Sequence, residues 1–154
     1  MAATRADLLA SIAATIFDYR SGELQKPDQG HVDRWIKQFS LATQVPLLRE
    51  MDHVLKQTYL QKESVVGFLK HQVKNDKLAG AKPCDFWRKA NFLEIQQHGH
   101  SQKEMLELFD DCLKSECEIE IEECGSDKGP FIYLDDVLFS GSRIGNDLSA
   151  WIVD

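Results

Sequence analysis

Apolar residues recur at helical spacing through the first half of the chain. Leu8, Leu9, Ile12, Ile16 and Tyr19 form one stripe, and Val32, Trp35, Ile36 and Phe39 form a second. Leu47, Leu48, Met51, Val54, Leu55 and Tyr59 form a third, just after Pro46, a residue suited to a first helical turn. Ser64 is placed to cap a fourth helix carrying Val65, Phe68, Leu69 and Val73. The pattern predicts a helical N-terminal region over residues 1–76, with Trp35 and Tyr59 as core residues.

The segment NDKLAGAKP, Asn75 to Pro83, has Gly, Pro and no periodicity, and marks a boundary. A second region over residues 84–154 follows with a different pattern. Phe92 to Gln96 predicts a short strand and QHGH a loop. Ser101 and Glu104 have capping-box spacing ahead of a helix with Met105, Leu108, Phe109 and Cys112 on one face. CEIEIEE alternates strictly, which predicts a strand with Ile119 and Ile121 inward and the glutamates in water. CGSDKG is a turn. FIYLD is apolar on both faces, as a central parallel strand is. Ile144, Leu148 and Trp151 then predict a helix from Arg143 to Val153. The order of elements is that of an α/β unit.

Length and charge narrow the classes. A chain of 154 residues makes one domain, or one small domain plus an incomplete second one. No apolar stretch approaches the roughly 20 residues of a membrane span. The N-terminus reads as an amphipathic helix rather than a signal peptide, so a cytoplasmic protein is expected. A net charge of −7 argues against a general nucleic-acid-binding surface. The acids from Glu116 to Glu123 read as a solvated face. Cys84, Cys112, Cys117 and Cys124 contain no C-x-x-C pair and are expected as reduced thiols. Cys117 and Cys124 with His98 and His100 match no closed zinc spacing.

The informative motif is FIYLDDVLFSGSR, Phe131 to Arg143, in which an apolar run delivers Asp135 and Asp136 to a Ser/Gly loop. Tyr133-x-Asp-Asp has the look of a polymerase hairpin. A palm needs a third metal-binding acid on a neighbouring strand, and Asp85, beside Pro83, is the one remote candidate. It also needs a second hairpin strand, where this chain has Ser140-Gly141-Ser142 and then a helix. A phosphate-binding loop fits that context. Strand ends in open α/β sheets bind ligands, and loop amides at a helix N-terminus hold phosphates. Ser140 and Ser142 add hydroxyls and Arg143 a charged donor. Two adjacent acids after a buried strand are costly without partners, which weighs against a purely structural turn.

This stretch resembles the phosphoribosyl-pyrophosphate (PRPP) motif of type I phosphoribosyltransferases. The resemblance implies that Asp135 and Asp136 bind ribose hydroxyls, with Mg²⁺ nearby, and serve as the catalytic acids. It implies that Ser140, Gly141 and Ser142 hold the 5-phosphate, and Arg143 is expected to join them as a charged donor. The layout of Phe92 to Met105 resembles the family's pyrophosphate loop, with Gln97, His98, Gly99, His100 and Ser101 as its residues. Phe139 stands where the motif often has a small or hydroxyl residue, and Arg143 where many members have Thr. The chain as a whole, including TIFDYRSGEL and HVDRWIKQF, is similar to a divergent phosphoribosyltransferase-like group of bacterial conflict and anti-phage systems. Some of that group are encoded beside a winged-helix protein or a retron reverse transcriptase, which are therefore the expected partners.

The fold expected is an N-terminal helical region followed by a partial Rossmann-like parallel-sheet phosphoribosyltransferase core. A complete core of that kind has two further strands and a helix after the loop, whereas the sequence stops at WIVD; the expectation is that either the chain is truncated or a partner or second copy completes the sheet. Three functions follow: a transferase acting at the ribose anomeric carbon, a nonenzymatic nucleotide sensor, or an interaction module of a defence complex.

Overall fold

The structure is a computed structural model that describes residues 3–137 and 140–153. The chain divides into two compact units, Met1–Val65 and Val66–Asp154.

In the first unit α1 (Arg5–Thr15) packs against α2 (Gln29–Ile36) and α3 (Leu41–Thr58). Thr4 caps α1 reciprocally with Asp7, and Asp28 caps α2 by accepting from the His31 amide. The predicted stripes supply the core, with Leu8, Leu9, Ile12, Val32, Ile36 and Leu48 buried and Trp35, Met51 and Leu55 packed on it. Tyr19 lies beyond α1 and is exposed. Pro46 is inside α3 rather than in its first turn, because the helix already begins at Leu41. Gln44 is buried but satisfied: it accepts from Arg5 Nη2 at 3.2 Å and donates to the Phe39 carbonyl at 3.0 Å. Asp33 ties α1 to α2 through Arg5 at 2.7 Å. Tyr59 is half-buried, and its hydroxyl donates to Asp18 at 2.7 Å. Burial, and then that carboxylate, push the Tyr59 phenol well above its usual range.

A fourth helix, α4 (Lys62–Val73), begins two residues before Ser64, so Ser64 is not its cap. The predicted boundary segment contains a single helical turn, α5 (Asp76–Ala79), capped by Asn75. Pro83 then starts α6 (Pro83–Trp87). Asp85 is on this helix and off any strand, which removes the polymerase arrangement.

In the second unit β1 (Asn91–Phe92) and β2 (Phe131–Ile132) pair in parallel, Asn91 opposite Phe131 and Phe92 opposite Ile132. The crossover between them contains α7 (Ser101–Cys117), and α8 (Ser142–Val153) follows β2. The core is aromatic. Trp87 meets Phe109 edge-on with ring centres 5.0 Å apart, and its indole N–H donates to the Val73 carbonyl at 2.8 Å. Phe92 leans on Phe109, and Phe131 meets Trp151 of α8 at 5.0 Å.

Two sequence expectations fail here. CEIEIEE is not a strand. The helix runs on to Cys117, Glu118 ends it in the left-handed conformation (φ 56°), and Ile121–Glu123 form a 3₁₀ turn. Asp110 accepts from the Ile121 amide at 2.7 Å, and Ile119 is buried as expected but by a turn. The alternation was genuine burial of one isoleucine, and among the described residues no strand pairs with this segment. The sheet is therefore two short strands within a mostly helical chain, smaller than the Rossmann-like sheet anticipated. The second correction concerns the thiols: Cys84 and Cys117 are disulfide-bonded, with Cα atoms 5.4 Å apart, joining α6 to the end of α7. Cys112 and Cys124 are free.

No helix among the described residues is long and apolar enough to cross a membrane.

Candidate functional site

Parallel pairing puts the loops after β1 and β2 side by side at one sheet edge, each leading into a helix. The sequence-predicted residues are all on these two loops or in the first turns of α7 and α8. Among the described residues, two hydrogen bonds join the loops. Ser101 Oγ donates to Asp135 Oδ1 at 3.3 Å. Arg143 Nη2 donates to the His98 carbonyl at 2.7 Å.

Asp135 is half-buried and Asp136 exposed. The Asp136 amide donates back to Asp135 Oδ1 at 3.0 Å, which orients the first carboxylate. Asp135 Oδ2 is buried and has no hydrogen-bond partner among the described residues. A buried carboxylate oxygen without a donor is costly, so this atom is a vacant acceptor. Asp135 thus has one oxygen held by protein and one buried without a donor, which a ligand hydroxyl would reach only by displacing the atoms that cover it.

Ser140 Oγ lies 2.9 Å from Ser142 Oγ and accepts from the Ser142 amide at 3.3 Å. Gly141 has φ 74°, a conformation that glycine adopts without strain, and its carbonyl accepts from Gly145 N at 2.9 Å in the first turn of α8. Phe139 lies outside the described residues. Behind the loop, Tyr133 donates to the buried Asp147 at 2.8 Å, locking α8 to the start of the acid-bearing loop just after β2. Burial, and then Asp147, push the Tyr133 phenol up to about 12.

Gln97, His98, Gly99 and His100 are exposed. Gly99 has φ 94°, and a Cβ there would come within 3.0 Å of Arg143 Nη2. His100 precedes the first helical residue of α7 without capping it through its side chain. The predicted capping box is absent, because Ser101 is inside the helix and its hydroxyl is spent on Asp135. The amide that needed a cap, that of Gln102, instead donates to Gln96 Oε1 at 3.1 Å. Gln96 and Gln102 are site residues that motif spacing did not flag. Their only sequence signal was a glutamine at each flank of the loop.

Among the described residues no group of three or more His, Cys, Asp or Glu side chains gathers to hold a metal, so the zinc arrangement has no support. A cation at Asp135 and Asp136 would need donors from a bound ligand. The vacant Asp135 Oδ2 and the exposed Asp136 carboxylate fit that shared mode.

Compared with known proteins, residues 32–154 match the family model described as PRTase-CE. No curated protein and no solved structure matches the chain.

Proposed function

The chain belongs to the PRTase-CE family, a phosphoribosyltransferase-like family, and from that membership we propose that it binds PRPP or a nucleotide at the edge shared by the two loops. The single observation that carries this reading is the vacant Oδ2 of Asp135, beside an Oδ1 already fixed by Ser101 and Asp136. Such a carboxylate is organised to receive one more donor, and a ribose hydroxyl supplies it. Ser140, Gly141 and Ser142 would take the 5-phosphate at the start of α8. The loop from Gln97 to Ser101 would face the pyrophosphate.

In the reaction proposed, a nucleophile bonds to the anomeric carbon as the bond to pyrophosphate or base breaks. The transition state is cationic at the ribose, and Asp135 and Asp136 would stabilise it electrostatically. Asp135 and Asp136 are the residues that would hold Mg²⁺, whose chemistry there would be charge neutralisation of the pyrophosphate. A setting in bacterial defence, with a winged-helix protein or a retron reverse transcriptase as partner, rests on sequence resemblance.

Calorimetric titration of PRPP with Mg²⁺ into the wild type and into the Asp135→Asn/Asp136→Asn variant tests the reading. Binding that the double substitution abolishes supports it. Equal affinity in the two proteins sinks it.

A second reading, a nonenzymatic sensor, is favoured by Arg143. Its guanidinium is engaged by the His98 carbonyl across the two loops, so an arriving phosphate would compete for it and free the His98 loop. Ligand binding without turnover would select that reading.

A further inference from the structure

The loop after β1 and the first turn of α7 are joined by a reciprocal pair of glutamines. Gln102 is fully buried, and its Oε1 accepts from two successive amides, Ile95 N at 2.8 Å and Gln96 N at 2.9 Å. Gln96 answers in the other direction. Its Oε1 accepts from Gln102 N at 3.1 Å, and its Nε2 donates to Ser101 Oγ at 3.1 Å. Ser101 Oγ in turn donates to Asp135 Oδ1 at 3.3 Å.

This chain of bonds has a direction. A serine hydroxyl carries one proton and rotates freely. With Gln96 Nε2 donating to the oxygen, the proton is left to point at an acceptor, and Asp135 Oδ1 is there. A buried glutamine whose oxygen serves two amides is expensive to replace and rigidly placed. It sets the backbone from which Gln96 projects.

We propose that Gln96 and Gln102 are positioning residues that fix the Ser101 hydroxyl toward Asp135, holding Oδ1 so that Oδ2, which has no protein donor, is the oxygen left to meet a ligand once the loops part. Neither glutamine need touch the ligand. The orientation of Ser101 stands on the hydrogen bonds alone; its consequence for binding rests on the reading of the site as a PRPP pocket.

Gln96→Glu separates positioning from folding. A carboxylate at this position still accepts from the Gln102 amide, so α7 keeps its cap. It cannot donate to Ser101, and it draws the serine proton away from Asp135. PRPP with Mg²⁺ is expected to bind about tenfold more weakly to Gln96→Glu, with an unchanged melting temperature. In a Ser101→Ala background the same substitution is expected to have no further effect, since there is no hydroxyl left to redirect. A loss of equal size in both backgrounds would mean simple repulsion of the pyrophosphate by the new charge, and overturns the proposal, as does an unchanged affinity. Should the wild type bind no PRPP, the functional reading fails, and the proposal is then decided by ¹³C NMR of the Asp135 carboxyl carbon. Gln96→Glu is expected to move that resonance as Ser101→Ala does. A resonance that stays in place in Gln96→Glu overturns it.

Discussion

Arg143 Nη2 donates to the His98 carbonyl at 2.7 Å, so the first turn of α8 is tied to the loop that leads into α7. The side chain is exposed, and an exposed bond of this kind adds little to stability. Arg143→Ala is therefore expected to lower stability by less than about 1 kcal/mol in chemical denaturation. It should weaken PRPP binding more than it weakens the fold, because a charged phosphate donor is lost. An Arg143→Ala protein that binds PRPP as the wild type does would remove Arg143 from the phosphate set.

Gly129, just before β2, has no room for a side chain. A Cβ placed there would be 1.7 Å from the Lys89 carbonyl oxygen and 2.9 Å from Ser126 Oγ. The backbones approach because Asn91 N bonds to the Pro130 carbonyl and Gly125 N to that of Arg88, holding the two chain segments together. Gly129→Ala must push backbone away from backbone. The expected cost is about 2 kcal/mol or more, read as a lower denaturant midpoint. Gly67 has nothing within 4 Å of an added Cβ and lies within α4, so Gly67→Ala is the control and is expected to stabilise slightly.

Tyr133 and Asp147 make a pH-dependent lock between the acid-bearing loop after β2 and α8. The folded-state phenol is raised to about 12 by burial, then by Asp147. A raised value means that the stability it contributes is complete below the unfolded tyrosine value near 10 and is lost as pH rises from there through about 12. Stability curves between pH 9 and 12 should show this alkaline decline in the wild type and a smaller one in Tyr133→Phe. At neutral pH Tyr133→Phe is expected to cost about 1–3 kcal/mol, since Asp147 is then buried without that donor. An identical alkaline slope in both proteins would show that the phenol is not the titrating group.

The fold was legible where burial and periodicity coincide. The stripe Leu8, Leu9, Ile12 and the pair Val32, Ile36 became the first core as expected, and α8 follows the Ile144, Leu148, Trp151 spacing to within one residue. Long-range contacts were not legible. CEIEIEE alternates as a strand does, but the alternation could not reveal that Asp110 captures the Ile121 amide. The capping box at Ser101 and Glu104 had the right letters, yet Asp135, 34 residues on, competes for the serine hydroxyl. The site shows the same division. The loops were found from local motifs, and their adjacency followed from the parallel strand order. The glutamine pair and the vacant Asp135 oxygen exist only in three dimensions.

The bond between Cys84 and Cys117 fixes the C-terminal end of the helix whose first residue touches Asp135. The same helix end is held by Glu116, which pairs with Lys74 and, at 3.5 Å, with Lys70. These exposed lysines add modestly, whereas a cross-link across 33 positions restricts the unfolded chain by up to about 3–4 kcal/mol. A dithiol reductant, or Cys84→Ser/Cys117→Ser, is therefore expected to lower the melting temperature by several degrees, by about the same amount in each case. Counting thiols in denaturant without reductant gives an independent check. Two reactive thiols, Cys112 and Cys124, are expected if the bond is formed. Four would mean that the chain as purified is reduced, and the reductant should then leave the melting temperature unmoved. If the bond is present and its loss also weakens PRPP binding, α7 transmits the state of its far end to Ser101. If binding is unchanged, the cross-link serves stability alone.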